Sequence, residues 1–176
     1  MHLCPEEIAM ALPMAAHVWH FVYVVIHKVA LVFHGIRYGV PWSRLWRHDL
    51  SKFRKDEWSD YTEAFWASLQ RLPLPKRFRQ VVLTHALRNR HHWERWCVIQ
   101  SAIFADGKSH TVFPDVVPHQ MDDVSVREMV ADWHAAAASK AAFGLPHDSP
   151  RDFYELNRDQ IRLHPATRQR VEELLQ

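Results

Sequence analysis

The sequence predicts an all-α bundle of six to seven helices. Apolar residues recur at helical spacing almost throughout, proline and glycine punctuate that period, and only the stretch 97–122 departs from it. With 176 residues and 48% apolar content the chain can bury one core, and no repeat or low-complexity tract divides it. Residues 1–176 therefore read as a single domain, with 97–122 as an insertion.

The first helix is expected from Met14 to Tyr38, closed by Gly39. Ile8 to Ile26 gives 19 residues without a formal charge, enough by length to span a bilayer. Pro13, His17 and His20 interrupt that run, Lys28 and Arg37 follow on the same helix, and no small-residue cleavage site follows a basic start. A buried core helix is the preferred reading over stable membrane insertion. Pro41 suits the opening of a short second helix, Trp42 to His48, because its fixed φ fits the first turn and its missing donor is not needed there. Lys55 to Leu72 makes a third, with Trp58, Tyr61, Phe65 and Leu69 on one core stripe.

Pro73 and Pro75 separate that helix from a fourth, Lys76 to Asn89. From Cys97 to Asp122 the helical period stops. Val98, Ile99 and Ile103 precede Asp106-Gly107, and Thr111, Val112 and Phe113 follow it, as in a short β-hairpin or an ordered loop serving as a lid. Ser125 or Asp123 can cap a fifth helix that carries Glu128 and Asp132 and ends near Lys140. Ser149-Pro150 starts a sixth, to Ile161, and Pro165 starts the last, with Val171 and Leu174 facing inward.

Composition narrows the function. A net charge of +2 lacks the basic excess of a dedicated nucleic-acid binder. Charge is uneven, however: Arg71 to Trp96 is basic and Asp115 to Asp132 acidic, an arrangement suited to a phosphorylated small molecule as well as to plain solvated faces. The two cysteines, Cys4 and Cys97, lie far apart without Cys-x-x-Cys spacing, so neither a disulfide framework nor a thiolate zinc site is indicated, and a reducing cytoplasm is expected.

The 14 histidines are the larger signal. In His48-Asp49 an imidazole and a carboxylate can hold one divalent metal, and Lys52, three residues on, can meet an anionic substrate oxygen. His20, His27 and His34 are spaced by seven, about 10 Å per step along a helix, so at most one is a ligand. His27 is the choice, because two antiparallel helices would bring it to His48, with His17 or His20 as alternatives. His85 and His92 on one straight helix would be too far apart for metal bonds of about 2 Å. Either the helix breaks near Asn89 or two metals are bound, unless His85 is only a hydrogen-bonded core residue and His91-His92 a helix end. Asp132, among Met129, Val130 and Trp133, would be costly to ionise without a cation.

The order His27, His48-Asp49, His85, His91-His92, Asp132 resembles the HD superfamily of metal-dependent phosphohydrolases. More closely, the chain is similar to a family of uncharacterised bacterial and bacteriophage proteins, a domain of unknown function. The matching segments are His27-Lys28, Gly39 to Trp42, His48 to Phe53, Arg88 to Trp93, Val126 to Trp133 and Leu163 to Arg168, which together cover most of the chain. The superfamily resemblance implies a first metal site of His27, His48, Asp49 and Asp132, with Asp49 bridging to a second ion held by His85 and His91 or His92. It implies one or two divalent ions (Mn, Fe, Mg, Co or Zn) that activate a water and neutralise phosphoryl oxygens. Lys52 would stabilise the phosphoryl group, Arg88 would add a bidentate phosphate contact, and Glu128 would orient a ligand or a water. His164, Tyr154 and Asn157 offer themselves for closing the substrate side, against the plain reading of capping and packing.

Three functions follow as expectations. The first is a cytoplasmic metal-dependent phosphohydrolase for a nucleotide or another small phosphorylated compound. The second keeps the metals as a di-iron centre that activates oxygen. The third is a non-enzymatic nucleic-acid or protein-binding module built on Arg71 to Trp96 and exposed tryptophans, which is not favoured.

Overall fold

The computed structural model of the protein describes residues 12–99 and 116–176. Its helices are α1 (Met14–Arg37), α2 (Trp42–Arg47), α3 (Lys55–Leu69), α4 (Phe78–Arg88), α5 (Asp123–Ala142), α6 (Pro150–Asn157) and α7 (Pro165–Leu174). Single 3-10 turns lie at Leu50–Phe53 and Trp93–Trp96. Two three-residue strands, β1 (Cys97–Ile99) and β2 (Val116–Pro118), pair antiparallel with Val98 opposite Val117. The fold is all-α. Ile103, Asp106-Gly107 and Thr111 to Phe113, expected in the hairpin or lid, lie outside the described residues.

α1 and α5 form the axis of the bundle, with α3 on α1 and α7 on α5. Leu31, Val40, Leu45, Ala131 and Ala135 make the core between α1, α2 and α5. A second cluster, including Val126, Met129, Val130, Tyr154, Leu163 and Val171, joins α5 to the last two helices. Gly35 lets α2 approach, because a Cβ there would run into Leu45. α1 then ends in a Schellman motif: Gly39 sits at φ +68°, its N–H donates to the Ile36 carbonyl, and Val40 N–H donates to Gly35.

α1 departs from the expected buried helix. Ala16, His20, Val24, His27 and Leu31 face inward, but Val18, Phe21, Val25, Val29, Phe33 and Ile36 are exposed along the opposite side. The period of the apolar residues could not reveal this, since both faces are apolar. α1 is long and apolar enough to cross a membrane by composition. It nonetheless presents His27 to the polar centre of the bundle.

Several boundaries move for local reasons. α3 stops at Leu69 because Arg71 takes a left-handed φ of 56° ahead of Pro73. α4 begins at Phe78, just after the Pro75 turn. The cap of α5 is Asp122, whose carboxylate accepts the Ser125 N–H at 2.8 Å, rather than Ser125 or Asp123. α6 ends at Asn157, four residues short of Ile161, which turns into the core.

Candidate metal centre

The His-Asp dipeptide sits where α2 stops. Lys28 from α1 donates to the Trp46 and His48 carbonyls at 3.0 and 2.7 Å, satisfying the end of that short helix. His48 is extended, and Asp49 then takes φ 58°, ψ 17°, the left-handed region. Asparagine and aspartate tolerate this conformation best among side-chain-bearing residues, yet it still carries strain of the kind that collects at functional sites. The reversal lets successive residues turn their side chains into one buried space.

The helix carrying His85 breaks at Asn89. Asn89 adopts extended ψ 128°, and its side-chain amide donates to the His85 carbonyl at 2.8 Å, closing the last turn of α4. The chain doubles back, so His91 and His92 return to His85, with His85 and His92 ring centroids 5.0 Å apart. The obstacle of two turns of straight helix therefore disappears.

Two groups of donors result, and Asp49 belongs to both. His27, His48, Asp49 and Asp132 offer ligand atoms all within 4.8 Å of one another, and so do Asp49, His85, His91 and His92. Asp49 Oδ2 lies 3.3 Å from His48 Nε2 and 3.8 Å from His27 Nε2. Its other oxygen, Oδ1, lies 3.0 Å from His85 Nε2 and 3.4 Å from His91 Nε2. Asp132 Oδ1 closes the first group at 3.0 Å from His27 and 3.3 Å from His48.

Outer carboxylates decide which ring nitrogen points inward. His48 Nδ1 meets Glu128 Oε1 at 3.0 Å, and His85 Nδ1 meets Glu57 Oε2 at 2.9 Å. A carboxylate only accepts, so each Nδ1 carries a proton and each Nε2 is the nitrogen left to face Asp49. Glu128 is anchored by Arg44 at 2.7 Å, and Glu57 by Arg88 at 2.6 Å and by the Ser51 hydroxyl at 3.1 Å. Glu128 has joined a third close group with His48 and His91. Its oxygens are already committed to Arg44 and His48, which makes it a support for the ligands.

The inner atoms lack what they need. His27, His48, His91 and His92 Nε2, both Asp49 oxygens and Asp132 Oδ1 are buried without a hydrogen-bond partner. They approach one another closely but are misaligned for hydrogen bonds, as expected of atoms that converge on a point between them. Lys52 Nζ lies 2.5 Å from Asp49 Oδ2 and is the cation closest to that oxygen.

Electrostatics agree. Burial pushes the Asp49 and Asp132 carboxyls up, yet the facing charge of His48, with Lys52 beside Asp49 and His27 beside Asp132, holds both well below the usual carboxylate range. Burial likewise pushes the His48 imidazole down, but the two aspartates hold it well above its ordinary value. Without a metal, a proton on His48 thus supplies charge that a divalent cation would provide. His92 is lowered to about 3 by burial and then by His91, so its ring stays neutral and able to ligate. The mixed nitrogen and oxygen donors fit Mn, Fe, Co or Zn better than an all-oxygen ion such as Mg.

Of the other candidates, His20 is buried against Thr62 and His17 accepts the Trp58 indole N–H, so neither joins the centre. Arg88 pairs with Glu57 and Asp56; the expected phosphate contact gives way to a role in holding Glu57. His164 caps α7 through the Ala166 N–H, Asn157 binds the Phe153 carbonyl, and Tyr154 donates to Glu172, so all three cap or pack. Arg77 and Arg90 of the basic segment pair with Asp60 and Asp122. Glu57, Ser51, Asn89 and Arg44 were missed. Glu57 was findable: it stands one turn before Tyr61 and two before Phe65, a carboxylate on an apolar stripe, as Asp132 is.

A family profile described as "Family of unknown function (DUF5662)" matches residues 14–176. No curated protein and no solved structure matches the chain.

Proposed function

Because the chain belongs to that family of unknown function, whose membership supplies no reaction, we propose from the site alone that it is a metal-dependent phosphohydrolase. Its substrate would be a nucleotide or another small phosphorylated compound. The carrying observation is Asp49, shared by two histidine-rich donor sets, with Lys52 at its side and a cavity of about 560 Å³ that His27, His48 and Asp49 help to line. This sharing is also what the resemblance to the HD superfamily would require.

His27, His48, Asp49 and Asp132 would hold one ion, and His85, His91 and His92 would hold another with Asp49. When bound, such ions supply Lewis acidity, lowering the pKa of a water and neutralising phosphoryl oxygens. Lys52 faces the cavity and would fix a phosphoryl oxygen as a point charge. Glu128 and Glu57 keep the rings oriented, which costs no reorganisation during the reaction. In the balanced step the water oxygen bonds to phosphorus as the ester P–O bond breaks, and the water proton ends on the departing alcohol.

The test is metal analysis of protein purified without chelator, paired with a screen for phosphate release from nucleotides and other esters. Bound Mn, Fe, Co or Zn and a released phosphate, both lost in Asp132→Ala, are expected. Absence of metal, with metal affinity unaltered by Asp132→Ala, refutes the reading. Iron with oxygen consumption and no phosphate release transfers it to oxygen chemistry.

A further inference from the structure

Resting on the hydrolase reading for its phosphate end, we infer that the cavity beside the metal centre takes the organic part of an apolar phosphate monoester, an aryl or alkyl group rather than a nucleobase. The cavity, about 560 Å³, falls in the size range of small-ligand sites. Its polar end is made by His27, His48, Asp49 and Lys52. Beyond that end it is lined by Val24 from α1, Ala64 and Phe65 from α3 and Phe78 from α4.

Three of the polar side chains along these walls, His20, Ser68 and Lys28, are engaged within the protein. His20 gives its Nδ1–H to Thr62 Oγ1 at 2.7 Å, since the Thr62 hydroxyl is itself spent on the Trp58 carbonyl. Ser68 donates to the Ala64 carbonyl, and Lys28 is spent on the two carbonyls at the end of α2. Tyr23 and Tyr61 bring hydroxyls on aromatic rings, and Lys140 is exposed. Away from the metal end, no carboxylate or carboxamide lines the cavity among the described residues. A nucleobase has a fixed edge of donors and acceptors, and burying that edge without partners is costly. An apolar group has no such demand and gains by leaving water.

The entrance has the same character. Phe21, Val25, Val29 and Leu74 line the cavity and are also exposed, so they form its rim. An apolar group thus meets largely apolar surface from the rim inward, while its phosphate would lie at the end lined by Lys52 and by His27, His48 and Asp49, which would hold an ion.

Uncleaved probes separate this inference from the hydrolase reading. Metal-loaded full-length protein is titrated calorimetrically with methylphosphonate, naphthylmethylphosphonate, decylphosphonate and the phosphonate analogue of adenosine monophosphate. The naphthyl or decyl probe should bind at least about 30-fold tighter than methylphosphonate, as the buried apolar area requires, and tighter than the adenosine analogue. Whichever of the two wins tells an aryl from an alkyl substrate. Ala64→Phe, which fills the cavity, should abolish the preference. Val25→Asp, on the exposed rim where folding is not at stake, should weaken it and decides the matter if Ala64→Phe does not fold. Equal binding of the probes, tighter binding of the adenosine analogue, or a preference that survives the substitutions overturns the inference. A naphthyl preference in a protein that cleaves no ester would sink the hydrolase reading, and with it the monoester's role as substrate, while upholding the cavity's choice of an apolar group.

Discussion

Replacing Glu57 with glutamine removes one oxygen and leaves the side chain's size unchanged, yet it should disable half of the metal centre. Glu57 is 1% exposed, accepts from His85 Nδ1 at 2.9 Å, and receives Arg88 at 2.6 Å on its other oxygen. In Glu57→Gln the amide oxygen must face the guanidinium, because two donors cannot face each other. The NH2 group then points at His85 Nδ1, which has to become an acceptor, so the proton moves to Nε2 and aims at Asp49 Oδ1. A ligand has become a donor. Losing an outer partner of this kind lowers metal affinity by about 10- to 100-fold, or roughly 1.4–2.7 kcal/mol. The loss should fall on the site with His85, His91 and His92, and spare the one with His27, His48 and Asp132, whose support is Glu128. Calorimetric titration of metal-free protein with Mn²⁺ or Zn²⁺ resolves the two steps. Two unchanged steps, or an equal loss in both, would refute the tautomer argument, and thermal melting of the metal-free variant controls for misfolding.

Asp49→Asn should lose the bridge but keep the left-handed backbone, whereas Asp49→Ala should be less stable than Asp49→Asn by about 1 kcal/mol; equal urea midpoints would show that φ 58° carries no strain. Lys52→Met should retain both metal-binding steps and reduce phosphate release by about 100-fold, on the scale of losing one transition-state donor; an unchanged rate removes Lys52 from the reaction. His20 is held at about 4 against an ordinary 6.5, by burial first and then by the Lys52 and His17 charges. A depressed histidine contributes its stability above the unfolded value, and that stability is lost as pH falls from 6.5 to about 4, by at most about 3 kcal/mol. His20→Phe should flatten the metal-free stability curve over that window alone, and curves that stay parallel would exclude His20 as a source of acid sensitivity.

Helices were legible where one apolar face alternates with polar residues and a proline or glycine marks the end, as in α2, α4 and α7. α1 misled because its two faces are both apolar, so the period said helix without saying which side is covered. The candidate metal-binding residues were legible as chemistry in excess of packing: an aspartate among apolar residues, a histidine pair beside a charged turn. What closes the centre depends on single local events, the φ reversal at Asp49 and the amide of Asn89 turning back on His85, and neither leaves a periodic trace. Arg88 shows the opposite error, a cation that looks free in sequence and is committed to Glu57 and Asp56 in space.

The donor residues come from α1, the turn after α2, α4 and its return, and α5, so His27 and Asp132 stand roughly a hundred residues apart in the chain. An ion held between them would close a loop of that length, as a disulfide would, and remove a comparable share of the unfolded chain's freedom. Unlike a disulfide, such a cross-link would respond to metal supply rather than to redox state. A cell short of metal would therefore lose the protein's resistance to unfolding and proteolysis along with any activity, and the abundance of the chain would itself become a gauge of metal availability.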